Sequence, residues 1–276
     1  MTRLSIKPNA NRPVDHYRGQ PRERRKNSPM VRLLSWLTGR TRQAVAEPDP
    51  AINAERIIAI GDIHGCARAF EKLLELIEPT PLDLIVTLGD YVDRGPQSRQ
   101  VIERLLQLRK ECQLIPLLGN HEYMLLEALT QQTLFNFWMQ CGGRQTLDSY
   151  GGSIDQIPIE HLDFIRDCRR YFETENHLFF HANFAPELPP DKQPDQLLLW
   201  EHLGESTLAP HQSGKHVILG HTPQLNGSIL HQEHLTCLDT YCFGNGCLTA
   251  MEVRSLETWQ VNKAGIRCLH ETNSAG

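Results

Sequence analysis

The chain has 276 residues, 40% of them hydrophobic and 22% charged, with 8 cysteines and a formal net charge of −5. That composition excludes a disordered, collagenous or fibrous chain, and the length allows one large domain or two small ones at about 150 residues per domain. Polar residues cut every apolar run well short of the roughly 18 residues that a membrane-spanning helix needs, which excludes an integral membrane helix.

Charge is unevenly spread. Residues 1–50 carry eleven Lys and Arg against four Asp and Glu, net +7, whereas the remainder carries 17 against 29, net −12. The first stretch also holds six prolines, a basic cluster at Arg22, Arg24, Arg25 and Lys26, and a single apolar patch from Val31 to Leu37. It reads as a disordered tail that would bind acidic surfaces weakly at most. No apolar stretch long enough for an export signal follows Arg24-Arg25, and Met30 offers a second start. The cysteines, at 66, 112, 141, 168, 237, 242, 247 and 268, form no Cys-x-x-Cys pair in a chain too long to need disulfide staples. Reduced thiols and a cytoplasmic location are expected.

From Arg56 the pattern becomes regular. Ile57 to Ile60 reads as a strand, and Phe70, Leu73, Leu74 and Ile77 follow at helical spacing. Leu82 to Leu88 predicts a second strand, Val101, Ile102, Leu105 and Leu108 a second helix, and Leu114 to Leu118 a third strand despite Pro116. Crossover helices between successive strands imply a parallel sheet whose carboxyl ends open on one edge, where α/β proteins place their ligands. Residues 121–170 are helical in pattern with breaks at Gly142-Gly143 and Gly151-Gly152. Further short strands are predicted at His177 to Phe180, His216 to Leu219, Leu235 to Leu238 and Cys247 to Val253, and they predict a second sheet.

The chemistry sits just after these strands. The first is followed by Gly61-Asp62-Ile63-His64-Gly65, the second by Gly89-Asp90-Tyr91-Val92-Asp93-Arg94-Gly95, and the third by Gly119-Asn120-His121-Glu122. Asp62 and His64, two apart, project to one side of an extended backbone and can hold one ion together. Carboxylate, imidazole and amide oxygen suit manganese, iron or zinc, and no cysteine lies within these motifs. His181 and His221 end two later strands and extend the set toward two ions, for which Asp90, leaving the middle strand, is the candidate bridge. Arg94 offers a guanidinium fork for phosphate oxygens. His121-Glu122 is no zinc-protease motif, because Leu125 stands where the second histidine would be needed. His231 and His234 read as a solvated loop pair, and Cys66 as a packed small side chain.

Five ordered blocks, GDIHG (61–65), GDYVDRG (89–95), GNHE (119–122), HAN (181–183) and GHT (220–222), resemble the phosphoprotein phosphatase family of metallophosphoesterases, in particular its bacterial and phage-type serine/threonine phosphatases. The resemblance runs from about Arg56 to Val261 and includes Trp138 to Tyr150 and Asp239-Thr240. It implies an α/β fold of two facing mixed β-sheets flanked by helices. It implies that Asp62, His64 and Asp90 hold one divalent ion and that Asp90, Asn120, His181 and His221 hold the other, with manganese usual. It also implies that His121 is the general acid, that Asp93 holds it in place and that Arg94 grips the phosphoryl group. The expected organisation is a disordered basic tail over 1–54, a catalytic domain over 55–265 and a C-terminal tail over 266–276.

Three positions depart from the family pattern: Asn183 replaces a glycine, His202 stands where bacterial relatives carry a second phosphate-binding arginine, and Tyr241 to Gly246 reshape the pocket wall. The expected activity is a metal-dependent phosphomonoesterase acting on phosphoserine and phosphothreonine in a protein or peptide, without a covalent phosphoenzyme, since no motif activates a Ser or Cys nucleophile. The alternative is a symmetrical dinucleoside tetraphosphate hydrolase acting on dinucleoside polyphosphates. A non-catalytic phosphate-binding scaffold is the rival from another class.

Overall fold

The computed structural model describes residues 53–204 and 208–268. The expected basic tail lies outside them except for Asn53 and Ala54, and of residues 266–276 only 266–268 fall inside. Strand β1 (Arg56–Ile60), helix α1 (Ala67–Ile77), strand β2 (Asp83–Thr87), helix α2 (Ser98–Leu108) and strand β3 (Gln113–Pro116) follow the predicted order. Helix α1 buries Phe70, Leu73, Leu74 and Ile77 on one stripe and stops at Glu78, which turns left-handed ahead of Pro79. Pairing of β1 with β2 and of β2 with β3 is parallel. Pro116 is tolerated because β3 is an edge strand and the proline is its last residue.

Helices α3 (Asn120–Ala128), α4 (Gln132–Trp138), α5 (Arg144–Ser149) and α6 (Ile159–Arg166) occupy the middle of the chain, with a single π-helical turn at Met139–Gly143 where the break at Gly142-Gly143 is predicted. A second sheet is built from β4 (Tyr171–Glu173), β5 (His177–Phe180), β6 (His216–Leu219), β7 (Leu230–Gln232) and β8 (Leu235–Cys237), in the order β4-β5-β6-β8-β7, with helix α7 (Asp195–Trp200) on it. The expectation that Cys247 to Val253 belongs to this second sheet is corrected. Strand β9 (Cys247–Glu252) pairs antiparallel with β1 and with β10 (Thr258–Asn262), giving a first sheet in the order β10-β9-β1-β2-β3. Every residue of β9 is buried, Thr249 and Glu252 included, so the strand suits an interior position in either sheet, and only the long-range pairing chooses.

Alternation along the strands separates three apolar layers. Ile57, Ala59, Leu84, Val86 and Ile115 point between the sheets to meet Phe172, Phe179 and Ile218. Their neighbours Ile58, Ile60 and Ile85 point the other way, onto Phe70, Leu73, Val101 and Leu105 of α1 and α2. On the far side of the second sheet, Leu178, Phe180, Val217 and Leu219 pack against Leu198 and Leu199 of α7. The two facing mixed sheets flanked by helices are therefore as the resemblance implies. Among the described residues no helix is long and apolar enough to cross a membrane.

One pair of cysteines departs from the expectation of reduced thiols: Cys247, at the start of β9, is joined to Cys268. The chain turns back after β10, where Arg267 bridges to Val261, and this brings together two cysteines 21 residues apart that no sequence motif links. The remaining six cysteines are free.

An ion pair anchors the entry to the first sheet. Arg56 donates from Nε and Nη2 to the two oxygens of Asp83 at 2.8 and 2.7 Å, and Asp83 also accepts from the Thr80 amide at 2.7 Å. Burial opposes ionisation of Asp83, but the Arg56 hydrogen bonds outweigh it and hold the carboxyl below its ordinary value of 3.8. A depressed carboxyl stabilises the fold above its unfolded value and loses that contribution as pH falls through the folded one. Asp83→Asn is therefore expected to cost about 1 to 3 kcal/mol near neutral pH. In denaturant titrations the difference from the unaltered protein should shrink steadily as pH drops below 3.8; a gap independent of pH would show that the ion pair contributes nothing.

Candidate metal centre

Six strand ends converge on one place. Asp62 and His64 follow β1, Asp90, Asp93 and Arg94 follow β2, and Asn120 and His121 open α3 directly after β3. From the second sheet come His181 after β5, His221 after β6 and Asp239 after β8. The turns are tight: His64, Asp90, Asp93, Arg94 and His221 all hold left-handed backbone, with φ from 45° for His64 to 71° for Asp93. Non-glycine residues adopt this region rarely, and such strain concentrates at functional sites.

Asp90 is the centre of the cluster. Its carboxylate lies 3.4 Å from His64 Nε2 on one side and 3.4 Å from His181 Nε2 on the other, and 4.0 Å from His121 Nε2. Two groups of ligand atoms share it: His64, Asp90 and His121, and Asp90, His181 and His221, each within 4.8 Å. Asn120 joins the second group, its carboxamide 3.1 Å from His181 Nε2 and 3.2 Å from both Asp90 oxygens and His221 Nδ1. Asp62 stands behind, its two oxygens each accepting the His221 amide at 3.1 Å. Of the residues expected to hold ions, His64, Asp90, Asn120, His181 and His221 thus meet directly, while Asp62 reaches them through the His221 backbone.

The outer nitrogens of the histidines decide what faces inward. His64 Nδ1 meets Val92 O at 3.0 Å, His181 Nδ1 meets Leu88 O at 2.7 Å, and His221 Nε2 meets Trp200 O at 3.2 Å. A carbonyl only accepts, so each ring carries its hydrogen outward and presents a lone pair to Asp90, as metal-ligating imidazoles do. Burial reinforces this by holding His64 well below its ordinary value and His221 down to about 3, which keeps the rings neutral. With the Asn120 oxygen turned inward, lone pairs of two histidines, an amide and a carboxylate face one another, an arrangement that a cation satisfies.

Carboxylate charges tell the same story. Burial opposes ionisation of Asp90, but the positive charge that the surrounding histidines, His181 foremost, take up when acid protonates them holds it well below its ordinary range. Burial, with Asp239 and Asp90 nearby, pushes Asp62 well up, and burial pushes Asp239 to about 7. Asp239 Oδ2 is buried with no hydrogen-bond partner, as is His121 Nε2. A positive centre relieves the repulsion among these acids, and the residues present fit divalent ions.

Arg94 and His121 stand over the cluster. Arg94 Nη1 lies 3.3 Å from His64 Nε2, and its guanidinium sits 4.5 Å over the Phe243 ring. His121 Nδ1 lies 2.7 Å from Asp93 Oδ2. At the departures from the family pattern, Asn183 donates to His202 O at 3.2 Å and accepts from the Phe184 amide at 2.8 Å. The His202 ring stacks on His221 at 4.4 Å. His231 and His234 take no part: their rings bind Thr236 Oγ1 and Leu208 O.

The sequence blocks assign Glu122 no role, yet it fixes the loop that carries Asp90. Its oxygens accept the amides of Asp90 and Tyr91, each at 2.8 Å, and those of Val92 and Gly119, each at 3.1 Å. Burial and Asp90 push its carboxyl up to about 8, against the pull of these amides. A signal existed, since a Glu three positions after the residue that opens a helix is the spacing of a capping box. Gly119 is needed there too, because a Cβ would lie 2.2 Å from Asp90 Oδ1.

Comparison with known proteins agrees with this geometry. Residues 55–247 match the model of the calcineurin-like phosphoesterases. Over 132 residues the chain is 33% identical to a symmetrical bis(5'-nucleosyl)-tetraphosphatase of Chromobacterium violaceum, a match covering 48% of this chain and 44% of that protein. The chain therefore spans less than half the length of that relative. Among solved structures it resembles a candidate diadenosine tetraphosphatase, with a TM-score of 0.58 at 24% identity over 77% of this chain and 95% of that one. It also resembles a cold-active protein-tyrosine phosphatase of a psychrophilic Shewanella, with a TM-score of 0.57 at 16% identity over 78% of this chain and 80% of that one. Both likenesses are likenesses of fold. The family match spans every residue gathered around Asp90, and on that ground the chain belongs to the calcineurin-like phosphoesterases.

Proposed function

We propose that this phosphoesterase hydrolyses dinucleoside polyphosphates by cleaving a phosphoanhydride bond, the alternative reading of the sequence. The reading is carried by the carboxylate of Asp90, set between two histidine groups beneath Arg94. Its substrate class is supported by relatives at 30% to 33% identity that are named symmetrical tetraphosphatases. Phosphoserine and phosphothreonine in proteins, the substrates first expected from the sequence, become the second reading.

In this reading Asp62, His64 and Asp90 hold one divalent ion, and Asp90, Asn120, His181 and His221 the other. Manganese is proposed, since no thiolate belongs to the set. When bound, the ions supply a hydroxide-like nucleophile at neutral pH and neutralise charge on the phosphoryl oxygens. The chain's own residues do the rest. Arg94 binds the equatorial oxygens of the attacked phosphorus. His121 gives its Nδ1 hydrogen to Asp93 and turns Nε2, which has no protein partner, toward the cluster. From there it protonates the departing oxygen. Burial works against the imidazolium, yet Asp90 and Asp93 raise His121 above its ordinary value, so the acid form is available.

The leaving group separates the two readings. A nucleoside diphosphate leaves on a weakly basic phosphate oxygen, whereas a serine or threonine alkoxide is strongly basic and needs its proton. With manganese supplied, diadenosine tetraphosphate should be turned over faster than a phosphothreonine peptide, with adenosine diphosphate as the only nucleotide product; the opposite order would return the protein to the phosphoprotein reading. Asp90→Asn should abolish turnover and most bound metal while the protein stays folded, and full metal content by elemental analysis would contradict the shared bridge. His121→Asn should cost about 10² to 10⁴ with an alkyl phosphate and distinctly less with p-nitrophenyl phosphate or the tetraphosphate. Equal losses on all three substrates would mean that His121 serves the nucleophile or the phosphoryl group instead.

A further inference from the structure

The segment from the end of α4 through α5 carries no residue of the metal cluster, yet it holds both parts of the machinery that act on substrate. Asp93 is fully buried, and its carboxylate meets three hydrogen-bond donors. One is His121 Nδ1, at 2.7 Å from Oδ2. The second is the indole Nε1 of Trp138, donating to the same oxygen at 2.8 Å, and the third is the Thr146 hydroxyl, donating to Oδ1 at 2.6 Å. Trp138 and Thr146 are themselves fully buried. Between these two residues the π-helical turn Met139–Gly143 brings Gly142 O to 3.2 Å from the Arg94 amide, which donates to it. Gly142 holds φ 115°, and a Cβ there would lie 2.9 Å from the Arg94 nitrogen.

The direction of every hydrogen in this network follows by elimination. The single Thr146 hydrogen is committed to Asp93 Oδ1, so the contact of 2.9 Å between Thr146 Oγ1 and Ser98 Oγ must be donated by Ser98. Thr146 Oγ1 and Ser98 Oγ both accept the Asp93 amide, at 2.8 and 3.1 Å. Every group that faces the Asp93 carboxylate therefore gives it a hydrogen, and His121 can meet it only with Nδ1–H. That fixes which imidazole nitrogen is free to face substrate.

We propose that Trp138 and Thr146 are positioning residues for the leaving-group proton: they act through Asp93 to hold the His121 ring and its tautomer, while Gly142 between them sets Arg94. A buried tryptophan needs some partner for its N–H, and any carbonyl would serve. Here the partner is the carboxylate oxygen that His121 uses, and Thr146 occupies the other oxygen, so both act on one group.

This inference rests on the role of His121 given above, and its test separates the two. Trp138→Phe keeps a ring and removes the N–H, Thr146→Val keeps the shape and removes the O–H, and Thr146→Ser restores the hydroxyl. With an alkyl phosphate, Trp138→Phe and Thr146→Val should each lower kcat by about 10- to 100-fold at unchanged KM and metal content. With p-nitrophenyl phosphate they should stay within about threefold, because that leaving group needs little protonation. Thr146→Ser should recover most of the loss. A low-field proton resonance from His121 Nδ1–H, assigned by its absence in His121→Asn, should shift in Thr146→Val and return in Thr146→Ser, and this reads the dyad without turnover or substrate. Equal losses on both esters, or an unshifted resonance with no loss, would overturn the proposal. Should the unaltered protein cleave the aryl ester but not diadenosine tetraphosphate, the substrate reading fails while this test stands.

Discussion

A carboxylate that is at once buried, ionised and shared is the demand around which this protein is arranged. Asp90 is almost inaccessible to solvent, and removing an ion from water costs several kcal/mol unless partners replace the water. The replacements come from every side. His64 and His181 flank it, and the first turn of α3 donates the His121 amide to Oδ1 at 3.1 Å, from the end of the helix where anions are favoured. Glu122, the next residue of that same turn, ties down the backbone of the Asp90 loop through its amides. The helix that brings the candidate acid His121 to the site is thus the element that secures the candidate bridge. Displacing either would displace both.

Gathering these side chains around Asp90 requires backbone that most residues avoid. Left-handed conformations at His64, Asp90, Asp93, Arg94 and His221 each cost on the order of 1 kcal/mol, and they persist only where the surroundings over-determine them. The surroundings here are two sheets with three apolar layers, whose parallel strands end in register and deliver each loop from a fixed point. Rigid strands with short strained turns keep the candidate ligands within the narrow tolerance that a metal site demands. Loops of ordinary length would not.

A centre of this kind acts on a phosphoryl group and is indifferent to much of what is attached to it. Discrimination between a monoester and an anhydride falls to the walls and to the demand for a proton. Two wall segments depart from the family pattern, and both touch the centre. Phe243 packs against Arg94 and against the His64 ring at 4.8 Å, and His202 stacks on His221. Changes in these walls therefore reach the grip on phosphate as well as the space around it.

Much of this was readable in the chain. Alternation and helical spacing located β1, α1, β2, α2 and β3, because each is a local pattern of apolar residues that needs no knowledge of partners. The gathering of the candidate ligands was readable because tight turns after parallel strands must converge on one edge, which brings Asp90 and Asn120 together with Asp62 behind them. Long-range pairing was not readable. Strand β9 is buried throughout and would suit either sheet, and its place beside β1 is set by hydrogen bonds to a strand nearly two hundred residues away. Cys247 and Cys268 meet only because the chain turns back after β10. The bonds from Trp138 and Thr146 to Asp93 join residues 45 and 53 positions apart. Residue types and spacing determined what chemistry the chain carries; which oxygen each donor finds, and so which nitrogen of His121 is left free, was decided only by tertiary structure, because a hydrogen bond depends on distance and direction in space.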